Sequence, residues 1–150
     1  MNTQGFAFKV LGPGYGVIVA GSVIENLILR TNWFMLGSLL GFLWLAAGLV
    51  GLVLAVRELR KSEGYMLVQS GPFSWSRNPI IAANLLGIMP GLCLVLNTNL
   101  GILGILAGAF LFLKNVGTEE MELEDQFGEV YQAYRERVSR LVPLPFTSSL

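Results

Sequence analysis

Arg77, Asn78 and Pro79 stand directly before an uncharged apolar run, and Glu119 and Glu120 stand just beyond the next one. A guanidinium, an amide and two carboxylates at a membrane boundary can pair with a charged ligand or assist a proton transfer. Farther along, Tyr131 and Tyr134 are three residues apart, which on a helix puts both rings on one face. The chain has no histidine, and its one cysteine, Cys93, sits inside an apolar run and reads as apolar filler. That composition removes Ser-His and Cys-His nucleophiles, the commonest soft-metal ligand sets and any intramolecular disulfide. Chemistry in this chain has to run on Arg, Asn, Glu, Tyr and the backbone.

Those residues need elements to hold them, and composition says of what kind. Of 150 residues, 53% are hydrophobic and 13% charged, with a mean hydropathy of +0.62. That balance describes a membrane protein. Ten basic and ten acidic residues cancel, so nothing suggests a nucleic-acid partner, which would need a net basic face to neutralise phosphates. Partners are expected among lipids, lipidated or other membrane-embedded substrates, and other subunits of a membrane complex.

The expectation is an all-α membrane protein with about four transmembrane helices. Trp33 to Val56 is a run of 24 residues without a charge, long enough to cross a bilayer with some tilt. Val10 to Leu29 is a first span that carries Glu25 and Gly12-Pro13-Gly14. A cleavable signal peptide competes for this segment, but its basic start is thin and no small-residue cleavage site precedes soluble sequence, so it is expected in the mature protein. Residues 1–56 thus hold two helices. Residues 57–79 form a polar connection, with Tyr65 to Gln69 as a short extended or interfacial piece. Within 80–116, Ile80 to Leu96 and Leu100 to Val116 are two 17-residue runs separated by Asn97-Thr98-Asn99, expected as a tight hairpin kinked at Pro90. Gly87, Gly91, Gly101, Gly104 and Gly108 would let its two helices approach closely.

Lys9, Arg57, Arg60, Lys61, Arg77, Lys114, Arg135, Arg137 and Arg140 fall on one side of such an arrangement, with Arg30 alone on the other. The positive-inside rule then places both termini and the polar loop in the cytoplasm. Residues 117–150 are expected to form a cytoplasmic amphipathic helix and tail, with acids early and bases late, as the helix dipole favours. Thr118 is the expected N-cap. Leu123, Phe127, Val130, Tyr131, Tyr134 and Val138 mark its apolar-aromatic face. Gly128 is a point of bending or breakage, and Pro143 and Pro145 stop the helix.

A hairpin returns 117–120 to the interface it left at 77–79, so Arg77, Asn78, Glu119, Glu120 and the two tyrosines become neighbours. The order "GPFSWSRNP", two apolar helices, "EEMEL", "FGEVYQAY", "RVSR" and "VP" resembles the isoprenylcysteine carboxyl methyltransferase and phospholipid methyltransferase family of integral-membrane enzymes, in its Arg-Asn-Pro variant. The resemblance runs from about Gly71 to Pro143. It implies S-adenosylmethionine as cofactor, bound on the cytosolic side between the hairpin's mouth and the tail helix, and an acceptor arriving from the bilayer. Arg77, Asn78 and Pro79 match the triplet at the cofactor mouth, Glu119 and Glu120 the acidic pair, and Tyr131, Tyr134 and Arg140 the tail. Leu85 or Leu86 would offer an apolar wall for adenine. The chain departs from the pattern at Ile81 and Ala83, where the family usually has a tyrosine and often a glycine.

Methyl transfer is an in-line displacement at carbon, so alignment and exclusion of water are its main demands. A carboxylate acceptor needs no general base, whereas an amine must lose a proton, for which Glu119 or Glu120 is available. The absence of histidine favours a carboxylate oxygen as acceptor. The alternative, from another class, is a non-catalytic family member serving as a structural or lipid-binding subunit.

Overall fold

A computed structural model describes residues 3–30, 32–62 and 65–142. Helix α1 (Thr3–Val23) continues as a π-helical turn over Ile24–Ile28, and α2 spans Met35–Lys61. A 3-10 turn at Gly71–Ser74 leads into α3 (Pro79–Val95), which opens into a π-helical stretch over Ala83–Ile88. Helix α4 runs Gly101–Phe127 and α5 Glu129–Arg137. Gly5–Ile28, Met35–Lys61 and Gly101–Phe127 are each long and apolar enough to cross a membrane, while Pro79–Val95 is shorter, about 25 Å at 1.5 Å per residue. The protein is an all-α membrane protein. Its outward faces agree: Leu39, Leu40, Phe42 and Leu43 of α2 are all exposed, as lipid-facing side chains are.

The two ends of the bundle differ in kind. At one end the buried Glu25 carboxylate accepts hydrogen bonds from Thr98 Oγ1 and, at 3.1 Å, from Leu100 N–H. Thr98 Oγ1 in turn accepts from Gly101 N–H at 3.1 Å, and Asn26 Nδ2 donates to Leu96 O at 2.7 Å. The α3–α4 turn is therefore held by α1, which supplies a carboxylate to the donors that the start of α4 leaves unpaired. The other end carries the 62–78 connection, α5 and a cavity.

Close packing follows the glycines, but between other helices than the sequence suggests. A Cβ on Gly14 would lie 2.6 Å from Gly104 O, so α4 sits directly on α1. One on Gly87 would lie 2.5 Å from Gly48 Cα, and one on Gly91 2.6 Å from Leu45 N, so α3 sits directly on α2. Gly101 and Gly108 do meet the α3 side, at Cys93 and Leu85. The hairpin is thus joined by a tight turn, while the backbone-to-backbone approaches of Gly87, Gly91 and Gly104 are made with α2 and α1. Glycine spacing signals a close approach without saying to which helix.

Pro90 removes the N–H that would satisfy Leu86 O four residues earlier. The indole Nε1 of Trp44 on α2 donates to that carbonyl at 2.8 Å. Beside it, Asn84 Nδ2 donates to Ile80 O at 2.8 Å, and Tyr15 O–H donates to Asn84 Oδ1. The irregular stretch of α3 is satisfied by cross-ties from α1 and α2, as backbone in hydrocarbon requires.

The tail differs from expectation. Thr118 is not an N-cap, because α4 runs through it without a break to Phe127. Nothing in the Glu-rich sequence after Val116 stops a helix before Gly128, and Gly117 has open space around it. The break comes at Gly128, with φ +54° and ψ −130°, a conformation suited to glycine alone. Helix α5 ends at Arg137; Pro143 and Pro145 lie outside the described residues.

Candidate functional site

The cavity at this end has a volume of about 300 Å³, at the lower end of the range for small-molecule sites. Its walls come from the start of α1, the end of α2, Ser62 and residues 66–68, the 3-10 turn, the start of α3, the last turns of α4, and α5. Phe6, Leu67, Val68, Phe73, Ile80 and Phe127 make it largely apolar. Its polar groups are few: Arg60, Ser62, Arg77, Asn78, Glu119, Glu120 and Gln126, with the two tyrosines.

Sequence continuity puts Arg77-Asn78 at the start of α3 and Glu119-Glu120 on the emergent part of α4. Packing makes them meet. Arg77 Nη1 lies 2.8 Å from Glu120 Oε1, and both side chains are about nine-tenths buried, at 10% and 8% exposure. Arg140 grips the same carboxylate with both arms of its fork, Nε to Oε1 at 3.0 Å and Nη2 to Oε2 at 2.6 Å. Two guanidinium groups thus share one carboxylate, which leaves the trio with net positive charge. The Glu120 hydrogen bonds raise the Arg140 pKa further above its ordinary value.

Backbone pairing fixes Arg140 there. After α5 the chain turns extended at Val138 and runs back past the mouth. Arg77 N–H donates to Ser139 O at 2.9 Å, Ser139 Oγ to Trp75 O at 3.2 Å, and Asn78 Nδ2 to Arg140 O at 3.0 Å. Asn78 therefore ties the tail to the mouth, while Pro79, buried, opens α3 where its missing N–H costs nothing.

Tyr131 and Tyr134 are almost fully buried, with ring centroids 6.2 Å apart. Tyr134 O–H donates to Phe73 O at 2.7 Å, pinning α5 to the 3-10 turn. Arg77 Nη1 also makes a long 3.5 Å contact as donor to the Tyr131 hydroxyl. Burial pushes both phenol pKa values up, and at Tyr131 the nearby Glu120 adds to it.

Two charged groups on the wall stand apart from this network. Glu119 is half-buried and makes no side-chain hydrogen bond among the described residues, and Arg60 likewise has no partner there. Inside the network, Arg77 Nε is buried without a partner.

All the site residues read from the sequence converge on this end of the bundle. Arg77, Asn78, Pro79, Glu119, Glu120, Tyr131 and Tyr134 line the cavity, and Arg140 stands behind Glu120. Leu85 and Leu86 do not line it: Leu85 packs in the core and Leu86 is exposed on the outer face. Ile81 does line it, buried, and Ala83 lies against Gly51 of α2. Sequence reading missed Arg60, which it took as one of three basic residues marking a membrane boundary, and Phe73, whose carbonyl anchors Tyr134. No family model, curated protein or solved structure matches the chain, so the site's geometry stands beside the resemblance read from residues 71–143 alone.

Proposed function

We propose that the protein is an integral-membrane S-adenosylmethionine-dependent methyltransferase whose acceptor is a lipid, a lipidated molecule or another hydrophobic compound. The observation that carries this reading is a largely apolar cavity at the end of a membrane-spanning bundle, in which a carboxylate with no side-chain partner among the described residues and a buried guanidinium whose Nε lacks one face one space. Such a mixture suits a ligand bearing both charges. When bound, S-adenosylmethionine supplies an electrophilic methyl group on a sulfonium.

The chain's part is holding and alignment. Arg77 and Arg60 favour an anionic carboxylate, while Glu119 and the rings of Tyr131 and Tyr134 favour cationic groups. Glu120 accepts from both Arg77 and Arg140, so it orders the site, and Glu119 is the carboxylate left to take up a proton from an amine acceptor. A carboxylate oxygen as acceptor needs no such help and fits a site without histidine. The apolar walls exclude water from the reacting groups. The gathering of Arg57, Arg60, Arg77, Arg135, Arg137 and Arg140 at this end supports placing it in the cytoplasm.

Binding tests the reading. Calorimetry on detergent-purified protein is expected to show saturable uptake of S-adenosylmethionine, weakened by Arg77→Ala and by Glu119→Gln. No uptake at millimolar concentration would contradict it.

One observation favours a second reading. Ile81 puts an aliphatic side chain on the cavity wall where the resembled pattern has a tyrosine hydroxyl, as suits a structural or lipid-binding subunit that has lost turnover. Fixed-stoichiometry co-purification with a membrane complex, together with no donor uptake, would select it.

A further inference from the structure

Helix α2 ends in three basic residues that composition alone cannot tell apart. Lys61 is paired with Glu58 at 2.7 Å. Arg57 is not part of the cavity wall, whereas Arg60 is. Arg60 has no hydrogen-bond or ion-pair partner among the described residues. A second cation reaches the same cavity from the start of α3: Arg77, nine-tenths buried, with its Nε unpartnered. A buried guanidinium N–H without an acceptor is costly, and here its neighbouring carboxylate is already shared with Arg140. The buried Nε of Arg77 points to an acceptor that the described residues do not provide, and the exposed Arg60 presents a second guanidinium to the same cavity. Glu119, on α4, offers the opposite charge to the same space.

We infer that Arg60 is the anion-binding residue of the cavity: with the free Nε of Arg77 it holds the carboxylate of an amino-acid-bearing ligand, whose cationic part faces Glu119. The identity of that ligand as S-adenosylmethionine rests on the proposed function. The assignment separates Arg60 from Arg57 and Lys61, which stay solvated or paired at the membrane boundary. It also separates Arg60 from Arg77, whose first task is to neutralise Glu120.

Decarboxylated S-adenosylmethionine keeps the sulfonium, the adenine and the amine and lacks only the carboxylate, so it probes Arg60 directly. Calorimetry on the full chain in detergent is expected to show the wild type preferring S-adenosylmethionine over the decarboxylated compound by about tenfold or more, the scale of one charge-assisted hydrogen bond. Arg60→Gln should abolish that preference by weakening the carboxylate-bearing ligand alone. Arg60→Lys should keep part of it, and Arg57→Gln, the same charge change off the cavity wall, should leave it intact. Arg60 is exposed, so its substitution is not expected to disturb folding, which thermal unfolding of each variant checks. A wild type that binds neither compound overturns the methyltransferase reading and this assignment with it. A wild type that binds S-adenosylmethionine, together with an Arg60→Gln variant that keeps the full preference, overturns the assignment alone.

Discussion

Arg77 on α3 and Glu120 on α4 meet at 2.8 Å with both side chains about nine-tenths buried, and Arg140 closes on the same carboxylate from beyond α5 at 2.6 Å. One acidic side chain therefore joins the mouth of the hairpin, its returning helix and the tail. Removing it strands a buried guanidinium, and breaking a buried pair on one side costs about 3 kcal/mol or more. Glu120→Gln is expected to lower stability by about that amount in denaturant titrations of the detergent-solubilised protein. Arg140→Gln, with its side chain nearly half exposed, should cost about 1 kcal/mol or less. Equal costs would mean that the pair with Arg77 is not the one that matters.

A bond from Trp44 to Leu86 O compensates for Pro90. Trp44→Phe keeps the ring and deletes the donor, leaving a carbonyl in hydrocarbon without its partner. The expected loss is about 1–3 kcal/mol. In the Pro90→Ala background, where the helix regains an N–H, the same substitution should cost clearly less. A cost unchanged by Pro90→Ala would contradict the pairing of the two features.

Much of this was legible beforehand, and the rest was not for identifiable reasons. The uncharged run from Trp33 to Val56 announced α2, although the helix continues to Lys61, since charges leave a membrane without ending a helix. The triplet at 77–79 and the acids at 119–120 were placed together by counting residues out and back along a hairpin. Which helix each glycine touches was not legible, because Gly14 with Gly104 and Gly48 with Gly87 are facts about side-by-side packing and not about period. Thr118 misled because an N-cap residue signals a start only where the preceding helix stops. Arg60 was hidden in a basic cluster whose ordinary explanation was sufficient.

The glycine contacts make a sharp contrast testable. Gly48→Ala puts a methyl group 2.6 Å from Ile88 N, forcing α2 from α3, at an expected cost of about 1–3 kcal/mol. Gly16→Ala, with nothing within 4 Å, should stabilise α1 by about 0.5–1 kcal/mol. Thermal unfolding of the two variants in one detergent reads both signs. A stabilising Gly48→Ala would contradict the packing.

Burial sets the alkaline behaviour of Tyr134. Its pKa is raised, so the folded state holds this proton more tightly than the unfolded chain. The stability that follows is complete below the ordinary tyrosine value of about 10 and is lost as pH climbs from there towards the raised value. Tyr134→Phe lacks this dependence. The stability difference between wild type and Tyr134→Phe should therefore shrink from pH 9 to pH 11, as read by unfolding midpoints, and a difference that grows would reverse the assignment.

Transfer of a labelled methyl group is the decisive assay of the proposed activity. Purified protein is incubated with methyl-labelled S-adenosylmethionine and a total membrane lipid extract, and label is counted in the organic phase beside a Glu119→Gln control matched in thermal stability. The expected result is label in the lipid fraction that depends on protein, with base treatment releasing it if the acceptor is a carboxylate and not if it is an amine, and with Glu119→Gln impairing transfer in the amine case. Label that never enters the organic phase, from protein that is folded and supplied with both components, would contradict a membrane methyltransferase.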